Sequence, residues 1–77
     1  MKQNEHEMCY LLHYYAVPLY LRGLRVGMDT DIPATTLDHA RFMRRIALKR
    51  GNIFRTFFWD GVQDAATERL ERKDNGH

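Results

Sequence analysis

The stretch that most constrains the fold is Asn52 to Leu70, NIFRTFFWDGVQDAATERL, which sets Phe54, Phe57, Phe58 and Trp59 within six residues and follows them with a polar, acidic run. A helix capped by Asn52, whose side-chain oxygen accepts a free backbone N–H of the first turn, places Phe54, Phe58, Val62, Ala65, Ala66 and Leu70 on one face. Phe57 and Trp59 flank that stripe. Three consecutive aromatics cover well over half the circumference of a helix, so one packed neighbour cannot bury them all. A second apolar surface is therefore expected, inside the chain or on a partner, with Phe54, Phe57, Phe58, Trp59, Gly61 and Val62 as its residues. Gly61 costs a helix roughly 1 kcal/mol relative to alanine, which points to a place where another backbone crosses closely.

A chain of 77 residues makes one domain, here residues 1–77, and so short a chain hides only about 60% of the surface that its unfolded form exposes. Burial shared with a second copy, as a homodimer, would add to a thin margin. With 44% hydrophobic residues the chain has enough apolar material to fold. The lone Cys9 cannot form an internal disulfide, which points to a reducing, cytoplasmic setting. Met8 to Leu24 is apolar but contains His13, Pro18 and Arg22, lacks the pattern of a secretion signal and is short for a membrane span, so no membrane partner is expected.

The fold class expected is all-α, or mainly α with one short strand, in three helices. Asn4 and Glu7 form a capping pair that opens the first, about 4–24, with Met8, Leu11, Leu12, Tyr15 and Leu19 on one face and a kink or break at Pro18. Arg25 to Thr36 breaks the helical pattern. Its alternation of Val26, Met28, Thr30 and Ile32 fits either a structured loop or a half-exposed strand ended by Pro33. Thr35 and Asp38 then resemble a capping box for a second helix, 36–50, with Leu37, Ala40, Met43, Ile46 and Ala47 as its buried stripe and Gly51 as its end. The third helix is expected over 53–73.

Charge is unevenly placed. From Arg41 to Arg55 there are six basic residues and no acidic one, although the net charge is only +2. Arg41, Arg45 and Lys49 stand four residues apart, Arg44 lies beside them, and Arg50 and Arg55 flank the turn. With Asn52, these form a candidate surface for phosphate or for an acidic partner. Asp60, Asp64, Glu68 and Glu71 make an acidic row on the third helix.

From Met43 to Val62, MRRIALKRGNIFRTFFWDGV resembles the two-helix part of ribbon-helix-helix DNA-binding proteins, with Ile46-Ala47, Gly51, Phe57-Phe58 and Gly61-Val62 where that pattern has them. The match covers about a quarter of the chain. The resemblance implies an obligate dimer whose paired strands enter the major groove, with the N-terminus of the last helix holding a phosphate. Asp29, Asp31 and Pro33 depart from it, because the family presents basic or amide side chains on its reading strand.

His6, Cys9 and His13 fall on one side of the first helix, as three zinc ligands would, with His39 or His77 needed as a fourth. Without paired C-x-x-C or H-x-x-H elements they are expected to edge the core, and neither metal nor cofactor is expected. The chain has no serine, no glycine-rich phosphate loop and no nucleophile–base grouping beyond these residues, and it is too small to enclose a small-molecule substrate, so enzymatic activity is not expected. Two classes of function fit a chain that looks like a phage or mobile-element accessory protein. One is a dimeric DNA-binding transcription regulator. The other is an inhibitor docking on a large host protein or nucleoprotein complex, for example an anti-CRISPR, through the same basic and aromatic surfaces.

Overall fold

The computed structural model describes residues 2–75, with side chains described for residues 14–72. It contains three helices, α1 (Lys2–Asp29), α2 (Pro33–Lys49) and α3 (Ile53–Asn75), with no strand among the described residues. The protein is all-α.

The expected boundaries of the first helix are corrected by the structure. α1 is not broken at Pro18 and runs on to Asp29, so Arg25 to Asp29 is neither loop nor strand. Pro18 lies on the exposed side of α1, where water can satisfy the carbonyl that a helical proline deprives of its donor. Gly23 and Gly27, which weaken a helix locally, lie buried against α3, and this packing outweighs their propensity. The helix ends where Arg69 of α3 reaches across, its guanidinium donating to the carbonyls of Gly27, at 3.2 Å, and of Thr30.

α2 starts earlier than expected. Pro33 takes its first turn, where a missing N–H costs nothing, and Ile32 caps it without a side-chain hydrogen bond, so the Thr35–Asp38 pair is not its cap. Instead the Thr30 and Thr36 hydroxyls bond each other at 2.7 Å and brace the short connection.

The turn from α2 to α3 follows the sequence closely. Gly51 takes the left-handed conformation at φ 69°, the Asn52 N–H reaches the Ala47 carbonyl at 2.9 Å, and the Gly51 N–H reaches that of Leu48 at 3.1 Å, which together close a Schellman motif. Asn52 then caps α3, its Oδ1 accepting the Arg55 N–H at 3.1 Å. The buried Thr56 hydroxyl is satisfied by the Asn52 carbonyl at 2.9 Å.

α3 lies in the middle, packed by α1 on one flank and α2 on the other, while α1 and α2 scarcely meet. The molecule measures 52 × 23 × 17 Å, elongated along its helices. Small residues allow this arrangement. Among the described residues, the buried apolar side chains are Ala16, Leu37, Ala40, Ala47, Val62, Ala65 and Ala66, joined by the buried glycines Gly23, Gly27 and Gly61. A backbone does cross closely at Gly61, and it is that of α1: a methyl group there would overlap the Tyr20 carbonyl and stand 2.7 Å from the Leu24 nitrogen. The large side chains are displaced outward. Among the described residues, twelve large apolar side chains are exposed, including Tyr14 at 64%, Phe42 at 58%, Phe54 at 41% and Phe57 at 37%, more apolar surface than the neighbouring helices cover.

Candidate functional site

At about 100° per residue, Val17 and Leu19 of α1 fall on either side of its glycine edge; Phe54 and Phe58 of α3 line hollows with Leu19, and Ile53, Phe57, Asp60 and Asp64 line one with Val17. The concavities of the surface divide the same way. On the first face, three hollows adjoin, the first and second through Leu19 and Phe54, the first and third through Arg22 and the second and third through Phe58, and form a groove along α1 that Met43 of α2 also touches. On the opposite face, Ala16, Val17, Tyr20, Ile53, Phe57, Asp60 and Asp64 line a separate hollow of about 620 Å³.

The two carboxylates of that hollow are already engaged within the chain. The Arg44 guanidinium donates to Asp60 Oδ1, joining α2 to α3. The Tyr20 hydroxyl donates to Asp64 Oδ2 at 2.5 Å, joining α1 to α3. That hydrogen bond, reinforced by burial and by the negative charges of Asp64 and Asp60, pushes the Tyr20 phenol up from 10.0 to about 12. The folded value lies above the unfolded one, so the contribution of this bond to stability is fully present below pH 10, and it is lost as pH rises through about 12. Spectrophotometric titration of the folded protein should show one tyrosine ionising near the upper value. Tyr20→Phe should remove that phase, and persistence of the phase in the variant would refute the assignment.

A third surface is the outer edge of α2. Arg41, Arg45, Lys49 and Arg50 are exposed, and none makes an ion pair among the described residues. Asp38 is the one carboxylate in the helix. Exposed Phe42 and Leu48 border the row. Arg44, expected beside them, instead turns inward to Asp60. Arg55 is exposed but lines the groove with Phe54 and Trp59. Asn52 has its side-chain oxygen occupied as the α3 cap. The seven residues expected to form one basic site are therefore distributed over four places, and four of them remain together along α2 and at its C-cap.

The expected partner-facing residues also divide. Gly61 and Val62 are buried, with Gly61 covered by α1 of the same chain, so they are removed from any outside contact. Phe58 and Trp59 are half-buried and pack edge-to-face at 4.9 Å, and Trp59 also meets His39 edge-to-face at 5.3 Å. Phe54 and Phe57 are both exposed, Phe54 lining the groove with Leu19 and Phe57 the hollow with Val17.

His6, Cys9, His13 and His77 lie outside the residues whose side chains are described, and among the described residues no three metal-ligating side chains come together. Among the described residues, no helix is long and apolar enough to cross a membrane. The chain matches no protein-family model, no curated protein and no solved structure. Function has to be read from the surfaces themselves.

Three features were missed in the sequence: the Tyr20–Asp64 bond, the Arg69 contacts to the end of α1, and the crossing built on Gly23 and Gly27. The last had a signal, since two glycines four residues apart fall on one helix face together with Ala16 and Tyr20.

Proposed function

We propose that the protein is a non-enzymatic, dimeric DNA-binding regulator of the phage or mobile-element kind, acting in the cytoplasm, whose α2 outer edge lies against the phosphate backbone. The observation that carries this reading is the exposed row of Arg41, Arg45, Lys49 and Arg50, free of ion pairs among the described residues. Heads four residues apart stand about 6 Å apart along the helix, and the row runs roughly 12 Å from Arg41 to Lys49. A duplex carries one charge per about 3.4 Å of each strand, so several phosphates fall within its reach. The test is retention of random-sequence duplex at low salt, with affinity falling steeply as salt rises. A protein that shifts no duplex at any ionic strength is not such a regulator.

The mode differs from the one the ribbon-helix-helix resemblance implies. Residues 26–29, which would supply the reading strand, are helical, so a backbone-directed contact through α2 replaces major-groove strands. Two copies would pair through the face of Val17, Ile53 and Phe57, where Arg44 neutralises Asp60 and the Tyr20 hydroxyl satisfies one oxygen of Asp64 within each chain. Sedimentation should give the mass of two copies, and Phe57→Glu should return it to one. A native protein sedimenting as a single copy at high concentration would remove the dimer from the reading.

A second reading, an inhibitor docking on a large host protein or nucleoprotein complex such as an anti-CRISPR target, is favoured by the exposed Tyr15 and Phe54 around the basic groove on the other face. Aromatic and arginine side chains dominate the energetics of protein interfaces.

A further inference from the structure

The groove has a definite length, floor and charge. Along α1 its lining runs from Tyr14 to Asp29, fifteen residues on and therefore roughly 22 Å at 1.5 Å per residue, or about four helical turns. Its floor is Leu19, Phe54 and Phe58, with Pro18 and Val26 along the α1 side. Arg22, Arg25 and Arg55 stand on its margins, all exposed and none in an ion pair among the described residues. Asp29 is the one carboxylate among its lining residues.

An apolar trough of this length suits a helix laid along it, presenting side chains at i, i+3, i+4 and i+7. Charge decides which helix. A second copy apposed groove to groove would set three arginines against three, which complementarity disfavours. Asp60 and Asp64 cannot supply the missing charge in such a pair, because they lie on the opposite face.

We propose that this groove is the docking site for an amphipathic helix of a partner protein, one carrying an apolar stripe flanked on both sides by Asp or Glu. The stripe covers Leu19, Phe54 and Phe58. The acidic flanks meet Arg22 and Arg25 on one side and Arg55 on the other. The inference does not rest on the phosphate reading, because the α2 row takes no part in it.

The experiment is selection of displayed helical peptides with a fixed apolar stripe and randomised flanking positions, carried out on the full-length protein and in parallel on Arg22→Glu/Arg25→Glu/Arg55→Glu. Selected flanks should be enriched in Asp and Glu over the input by at least about fivefold, and with the variant the preference should vanish or turn to Lys and Arg. Amide shifts on titrating a selected peptide should fall at Leu19, Phe54 and Phe58. If the charge-reversed variant does not fold, the corresponding glutamine variant serves, with loss of the acidic preference as its expected result. Selection without charge bias, a bias unchanged by the variant, shifts on the Phe57 face, or displacement of the peptide by duplex DNA would each overturn the proposal. So would assembly of the protein alone into concentration-dependent filaments, since that would assign the groove to the acidic α3 row of another copy. A variant lacking the α2 cations keeps the peptide while losing duplex, so the two proposals fail separately.

Discussion

A single methyl group at Gly61 is expected to remove most of the stability of this protein. Helix propensity alone favours alanine over glycine by roughly 1 kcal/mol in a helix interior, so a stabilised Gly61→Ala would be the result on local grounds. The crossing reverses the sign. The new Cβ would overlap the Tyr20 carbonyl oxygen and approach the Leu24 nitrogen at 2.7 Å, and both are backbone atoms that no rotamer change can move. Gly23→Ala meets the same obstacle from the other side, overlapping the Phe58 carbonyl and standing 2.9 Å from the Val62 nitrogen. Relief requires α1 and α3 to separate, which also draws Ala16, Ala65 and Ala66 apart. The expected loss is about 3 kcal/mol or more, against a total on the order of 5 kcal/mol for a domain of this size. In a thermal melt that is a fall of at least about 12 °C. Gly51→Ala is the control, with open space around the new methyl and only the φ of 69° against it, for a loss of roughly 1–2 kcal/mol. If Gly61→Ala melts at or above the native temperature, α1 and α3 do not cross as described.

The second large effect concerns duplex DNA. Removing Arg41, Arg45 and Lys49 together as alanines should lower the slope of log affinity against log salt by about 2.7, at roughly 0.9 for each phosphate no longer neutralised. The fold should survive, because the three side chains are exposed and unpaired among the described residues, and changes at such positions stay within about 0.5 kcal/mol each. Arg44→Ala provides the contrast. Its guanidinium is held by Asp60, so it should alter stability modestly and leave the salt slope where it was. If the Arg44 variant flattens the slope as much as the triple variant does, the DNA-facing surface is not the outer edge of α2. An intact slope in the triple variant would move it elsewhere altogether.

These two results probe parts of the protein that differ in how legible they were. The turn from α2 to α3 could be read directly, because Gly51 and Asn52 act through bonds to residues at most five positions away. The stripe of α2 could be read as well: Leu37, Ala40 and Ala47 are buried, and Met43 and Ile46 half-buried, as the spacing demands. The end of α1 could not. Gly27, Asp29 and the alternation of Val26 and Met28 all weigh against a helix locally, and what holds it is packing against residues some forty positions later, Val62, Ala65 and Arg69. The basic site was misjudged for a related reason. Arg44 shares a sequence neighbourhood with Arg45 but not a direction, and its partner Asp60 lies on another helix. Spacing gives direction around one axis, whereas pairing depends on how two axes lie together.

The central position of α3 also sets an order of events for the growing chain. α2 and α3 are neighbours across a three-residue turn, so their hairpin closes with little entropy to overcome. α1 must instead wait for α3, since α2 offers it scarcely any surface, and its partners arrive about forty residues behind it during synthesis. Until then the first third of the chain lacks the packing that holds its helix and its glycine edge is bare, open to capture by any chaperone or sister chain that reaches it before its own C-terminal segment does.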